Sequence, residues 1–469
     1  MATQQHNTKF LLHKKDVVLV MPAEPTPSEV LSLSTIDNDY NIELLCQTLY
    51  VYQANVSSYK SKNHDEIGKA QLQQEPALIV KEALSKALVH FYPLAGKLKR
   101  QADGRLQITC NGDGVPFLEA TADCHLSALN YFDGIDVETG KKFVFDWATD
   151  GEYGYHPLVL QVTKFSCGGF TIGMGLSHSV CDGFGAALFF RTMSELASGK
   201  TAPTVKPVWE RERLVGKPSD QEQVPTFDQV SFAISPFIPT DKISHACFNL
   251  DSESIRKLKL DLVQECDHEI PKESFTTLEV LGAYVWRSRY RALNHNPDGK
   301  TMFCLAIGMR NFINPPLPAG YYGNAFVSGN VELLGRDLDH GPLSKVAKLI
   351  KESKRIASSN EYVCRTLNML EKLNRQKMKI ETYGASLVLT DWRQLGLLEE
   401  EDFGWKESVN MVPLPWNMFG YVDLCIFMPP CRINASMKGG VRILVALPEA
   451  AMNRFEEEMA ALKIISDQH

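Results

Sequence analysis

A buried apolar run that halts at a histidine constrains this chain more than any other feature. Phe170-Thr171-Ile172-Gly173-Met174-Gly175-Leu176-Ser177 reads as a strand loosened by glycines, and His178 follows it directly. Asp182 comes four residues later, then Gly183 and the apolar, helix-length segment Phe184 to Met193, which ends near Gly199. A side chain placed where a strand stops and a helix starts is fixed at its root while its tip faces open space, as a general base requires. The flanking glycines mark tight turns and close backbone approach.

The spacing alone leaves the chemistry open. A serine triad needs a hydroxyl in reach of the ring, but Ser177 and Ser179 flank His178 on an extended chain and point to opposite faces. No G-x-S-x-G elbow occurs. His178, Cys181 and Asp182 have no second ligand pair at zinc spacing, so no metal is expected. A structural histidine and a catalytic one both remain possible at this point.

The 469 residues exceed one core and predict two domains. A formal charge of −7, with no basic face, argues against a nucleic-acid partner. The eleven cysteines are scattered, without a C-x-x-C pair, which fits reduced thiols. Met1 to Lys15 lacks a leader-like apolar segment, no run of about 18 apolar residues reads as a membrane span, and Ser466-Asp467-Gln468-His469 matches no common address signal. A soluble cytoplasmic protein is the expectation.

Strands are predicted at Asp16–Met21, Ile42–Tyr52, Leu106–Cys110 and Pro157–Thr163, and a helix from Glu75 to Phe91, stopped before Pro93. From about Gly199 to Pro239 six prolines fall among polar residues without periodicity, which reads as a connecting segment. A second α/β unit follows, with a strand at Cys247–Leu250, helices at Ser254–Glu265 and Ser274–Arg287, and a charged helical stretch from Pro342 to Lys379. Ser274, Thr276 and Thr277 open the second of these helices and serve equally as caps or as an anion site.

His178-Ser179-Val180-Cys181-Asp182-Gly183 resembles the H-x-x-x-D-G signature of the plant BAHD acyltransferases, and the likeness extends along the chain. Leu33-Ser34-Thr35-Ile36-Asp37 is similar to the family's L-S-x-x-D. Tyr92 to Leu98 resembles Y-P-x-A-G-R-L, with Lys97 for arginine. Pro315 to Asn324 resembles P-x-L-P-x-G-Y-x-G-N, and Asp402-Phe403-Gly404-Trp405 opens the D-F-G-W-G hallmark. That hallmark's last glycine is Lys406 here, which puts its turn geometry in question rather than the chemistry. The strings Tyr155–Phe165, Val208–Lys217, Glu273–Thr277 and Leu389–Arg393 resemble the spermidine hydroxycinnamoyltransferase branch more closely than ester-forming members.

The resemblance implies an α/β fold of two similar chloramphenicol-acetyltransferase-like domains with mixed sheets, enclosing a solvent channel. The divisions expected are 1–200, a crossover loop at 201–230, and 231–469. It implies an acyl-CoA-dependent N-acyltransferase placing a hydroxycinnamoyl-type group on spermidine or a related polyamine; the alternative is an O-acyltransferase esterifying a specialised-metabolite alcohol. His178 would be the base, Asp182 and Arg310 its structural support, Thr390 or Trp392 the oxyanion donor, and Asp391 an acceptor-binding carboxylate. Ser274, Thr276 and Thr277 would meet coenzyme A, and Asp402, Phe403, Gly404 and Trp405 would be structural. Acyl-CoA is then a co-substrate with no further cofactor, the other partner is a small amine or alcohol, and the enzyme is expected to be a monomer.

Overall fold

The computed structural model describes residues 9–53, 75–134, 136–147, 152–219, 231–266, 274–378, 384–398, 403, 408–414 and 423–464. Its first half runs β1 (Leu12–Lys14), β2 (Val18–Val20), β3 (Glu29–Ser32), β4 (Leu45–Tyr52), α1 (Pro76–His90), β5 (Lys97–Arg100), β6 (Leu106–Cys110), β7 (Val115–Ala122), α2 (Val137–Gly140), β8 (Leu158–Phe165), β9 (Phe170–Ser177) and α3 (Gly183–Ala197). The second half runs β10 (Ile243–Leu250), α4 (Ser252–Glu265), α5 (Thr277–Ala292), β11 (Lys300–Gly308), β12 (Phe326–Leu334), α6 (Gly335–His340), α7 (Leu343–Ala357), α8 (Asn360–Arg375), β13 (Ser386–Asp391), β14 (Ser408–Pro413), β15 (Leu424–Met428), β16 (Val441–Pro448) and α9 (Glu449–Ile464).

Among the described residues these strands form two large mixed sheets and a small one. The first has the order β1-β7-β8-β9-β4-β14, with β2 also on β7; the second is β10-β16-β15-β13-β11-β12; the third is β3-β6-β5. Parallel pairs (β7 with β8, β11 with β13, β13 with β15) sit beside antiparallel ones. Each parallel pair needs a long crossover connection, and helices supply the cover that buries both faces. Strand β9 is buried at every residue, which fits a sequence that carries no charge and does not alternate with solvated side chains. Strand β14 comes from the 231–469 portion of the chain yet pairs antiparallel with β4 of the first sheet. That exchange ties the two halves through backbone hydrogen bonds as well as side-chain packing.

Helices α1 and α3 pack together over the first sheet. Helix α1 buries Val80, Ala83, Leu84, Ala87 and Leu88, the stripe its spacing predicts, and gives way at Tyr92-Pro93 to a short 3-10 turn. Helix α5 packs against α7 and α9 over the second sheet, with Trp286 fully buried and its indole N–H donating to Thr301 Oγ1 at 3.1 Å. A further apolar cluster, including Ile36, Ile42, Leu214, Met309, Tyr321 and Val327, lies between the halves.

The element boundaries depart from the sequence reading in instructive places. The strand expected from Ile42 starts at Leu45, because residues 39–44 form hydrogen-bonded turns instead. The helix expected from Ser274 starts at Thr277, since Thr276 is the extended N-cap residue. The charged stretch from Pro342 divides into α7 and α8 at Ser358-Ser359, where the Ser359 hydroxyl accepts from the Tyr362 N–H and caps the second helix. Among the described residues no helix is long and apolar enough to cross a membrane.

Candidate active site

Strand β9 ends at Ser177, and the next five residues turn the chain into α3. The His178 N–H donates to Leu44 O at 2.9 Å, pinning the histidine to the segment that leads into β4. Asp182 is the N-cap of α3, its carboxylate accepting from Gly185 N at 2.9 Å. A Cβ at Gly185 would lie 2.0 Å from Tyr322 O, so only glycine lets the start of α3 press against that backbone.

The imidazole borders a cavity of about 1070 Å³ that takes its walls from both halves of the chain. Ile36, Asp39, His178 and Phe184 contribute from the first half; Thr276, Thr277, Cys304, Thr390, Asp391 and Trp392 contribute from the second. Burial pushes the pKa of His178 below the ordinary histidine value, against upward pulls from its own backbone, Asp182, Asn324 and Asp37. A neutral imidazole facing a roomy, mostly apolar cavity can accept a proton there.

Asp182 faces away from that task. Arg310 grips it bidentately, Nη1 to Oδ2 and Nη2 to Oδ1 both at 2.8 Å, and the Ala325 N–H adds a third contact at 3.1 Å. Burial alone would raise this carboxyl, but Arg310 and the Gly185 and Ala325 N–H groups outweigh it and hold the group below the ordinary carboxylate range. Arg310 also donates to Gly323 O at 2.9 Å, so the pair clamps α3 to the 320–325 loop.

A second polar cluster supports the histidine from behind, and sequence reasoning assigned it no role. Asp37 is fully buried and accepts from Ser34 N, Arg211 Nη1 and Asn324 Nδ2 at 3.0, 3.2 and 2.7 Å. Asn324 Nδ2 also donates to the His178 carbonyl at 2.6 Å. Arg211 Nη2 donates to Val180 O at 2.8 Å, inside the turn between His178 and Asp182. Its guanidinium lies over the rings of Trp209, Tyr321 and Tyr322. A Cβ at Gly323 would fall 1.5 Å from Arg211 Nη1, so the glycine before Asn324 makes room for the arginine. The quoted motifs around Asp37, Arg211 and Asn324 thus meet in space. A signal was present, since each stands in a string singled out above, but nothing in the sequence pairs them.

Thr390 is the penultimate residue of β13 and Trp392 follows the strand in a 3-10 turn; both border the cavity, the indole packing against the first core. Asp391 borders it too, and both of its oxygens receive Arg393, Nε at 2.8 Å and Nη2 at 2.5 Å. Thr276 and Thr277 border the cavity at the start of α5, whereas Ser274 is exposed and offers only its carbonyl to Lys351 Nζ at 3.1 Å. Thr276 is engaged in a closed capping box: its hydroxyl accepts from Glu279 N and the Glu279 carboxylate accepts from Thr276 N at 2.8 Å. Lys354 of α7 pairs with that glutamate at 2.8 Å, and Lys259 of α4 also borders the cavity, two cations that sequence reasoning left unassigned. Phe403 is buried, its ring edge-on to Tyr52 and Phe190. Asp402, Gly404, Trp405 and Lys406 lie outside the described residues.

The family model described as "Transferase family" matches residues 11–462. The chain is 43% identical over 460 residues to the spermidine coumaroyl-CoA acyltransferase of Arabidopsis thaliana, covering 97% of this chain and 96% of that one. It is 42% identical over 459 residues to the spermidine sinapoyl-CoA acyltransferase of the same plant, covering 97% and 98%. Among solved structures it resembles vinorine synthase, with a TM-score of 0.72 at 22% identity, covering 96% of this chain and 98% of that one.

Proposed function

The chain belongs to the BAHD acyltransferases, and from that premise we propose that it moves a hydroxycinnamoyl-type group from coenzyme A to a nitrogen of spermidine or a related polyamine. The observation that carries the reading is His178 at the border of a cavity built from both halves of the chain. The relatives of about 43% and 42% identity, both named for spermidine as acceptor, support the choice of acceptor.

An alkylamine with a pKa near 10 is mostly protonated at neutral pH and has no lone pair to offer. The deprotonated nitrogen attacks the thioester carbonyl carbon and forms the C–N bond while His178 takes the proton it sheds. The carbonyl oxygen becomes an oxyanion, and we assign its donor to Thr390 or Trp392, both of which border the cavity. Collapse breaks the C–S bond, and the departing thiolate recovers the proton from the imidazolium. No covalent acyl-enzyme is needed. Lys259, Lys354 and the start of α5 supply positive charge for the coenzyme's phosphates. The residues 201–219, which deliver Arg211 to the His178 turn, act as the described part of a crossover between two domains; 220–230 lie outside the described residues. We place the enzyme in the cytoplasm as a monomer.

A competition assay tests the reading. Purified enzyme given coumaroyl-CoA with a mixture of spermidine, putrescine and benzyl alcohol should yield coumaroyl amides of spermidine by mass spectrometry. Esters in place of amides would move the enzyme to the alcohol-acylating branch.

A further inference from the structure

Four carboxylates border the cavity: Asp39, Asp182, Asp391 and Asp423. Three are answered by arginines. Arg310 holds Asp182, Arg393 holds Asp391, and Arg289 Nη2 donates to Asp423 Oδ1 at 2.7 Å. Among the described residues Asp39 forms no such ion pair. Its Oδ1 accepts from Asn41 N at 2.9 Å and Asn41 Nδ2 at 3.0 Å, and the residue borders the cavity. Arg100 reaches the neighbouring Asn38 carbonyl at 3.4 Å, but its guanidinium lies over the Tyr40 ring and is bound to Glu43 Oε2 at 2.7 Å and Gly104 O at 2.6 Å.

The position is fixed relative to the base. Asp39 O accepts from the Ile42 N–H at 3.2 Å, and Leu44 O two residues on accepts from the His178 N–H. The half-buried carboxylate and His178 border the same cavity. Burial pushes its carboxyl up from the ordinary range, with Asn41, His178 and Arg100 pulling the other way. A carboxylate kept in such a place without a directly paired cation is a standing cost, and a cationic ligand lowers it. The cavity's cations stand elsewhere, on α4, α7 and the turn after β13.

We propose that Asp39 is the acceptor-recognition residue of this enzyme, its carboxylate binding an ammonium nitrogen of the polyamine other than the one being acylated. The inference rests on the amine-acylating reading above and adds to it a residue. Spermidine keeps its remote nitrogens protonated while one loses its proton to His178, and a remote ammonium needs a counter-charge once water is displaced. Asp391, the acidic residue the sequence singles out, has both oxygens on Arg393.

The test compares spermidine with n-butylamine, which offers an attacking nitrogen and no second charge, at fixed coumaroyl-CoA. Asp39→Asn keeps an acceptor oxygen for Asn41 and removes the charge. The kcat/KM ratio of spermidine over butylamine should collapse by about tenfold or more, carried by the KM for spermidine. The thermal midpoint should hold or rise, because the lost charge has no direct ion-pair partner among the described residues. An unchanged ratio overturns the inference, as does an equal loss on both amines with a lowered midpoint, which marks a structural role. A wild-type enzyme that acylates alcohols and neither amine overturns the amine reading itself, and the inference with it.

Discussion

Asn324 donates one amide group to two acceptors, the His178 carbonyl at 2.6 Å and the Asp37 carboxylate at 2.7 Å. Both partners can only accept, so the side-chain nitrogen must face them, and the histidine's backbone is held from a residue 146 positions away. Asn324→Ala leaves the Asp37 carboxylate short of a donor and frees the root of the histidine. Stability should fall by about 1–3 kcal/mol, read by urea denaturation, and kcat should fall more than the KM for either substrate changes.

In the Asp182–Arg310 pair the carboxylate is buried and the guanidinium half-buried, so removing one partner strands the other. Asp182→Ala should cost about 3–5 kcal/mol of stability. Arg310→Met should cost a similar amount, and the double variant should lose much less than the sum, because neither charge is then left alone. Additive losses in the denaturation cycle would mean that the two residues do not depend on each other.

Burial holds His178 below its ordinary value of 6.5, so the ring is neutral at pH 7. Ring titration by NMR, assigned by comparison with His178→Gln, should give a midpoint under 6.5. Rate should follow: the slope of log kcat/KM against pH should steepen from about one to about two below that midpoint, since amine and imidazole must then both lose protons. The same shift has a stability sign. Below about pH 6.5 the unfolded chain binds this proton more readily than the folded one, so stability falls as pH drops toward the folded value.

The Thr390 hydroxyl is the simplest oxyanion donor to test. Thr390→Val keeps the shape of β13 and removes the donor. If that hydroxyl receives the oxyanion, kcat should fall about 10²–10³-fold with little change in either KM. A loss under threefold would shift the role to Trp392.

What could be read from the sequence was local. Leu106–Cys110 alternates and forms β6 within those bounds, and the run into His178 forms β9 and then α3. Hydrophobic period and turn chemistry decide such elements within about ten residues. The resemblance to a family brought in the two-sheet architecture and the set of candidate residues. What could not be read was long-range: β14 adding to β4, and Asp37, Arg211 and Asn324 converging from three parts of the chain. No periodicity encodes such meetings. Asp39 was passed over because an aspartate in a polar turn looks like any solvated loop residue until the cavity beside it is known. Asp391 invited attention beside Trp392, while Arg393 two residues on holds its charge.

The role of His178 as the base is tested most directly by one pair of assays on wild type and His178→Ala, both with coumaroyl-CoA and spermidine. Thiol release and coumaroyl-spermidine formation should run in equal amounts in the wild type, and both should drop at least about 10²–10⁴-fold in the variant while its thermal midpoint stays close to wild type. A variant that forms the amide at near wild-type rate would contradict proton removal by this imidazole.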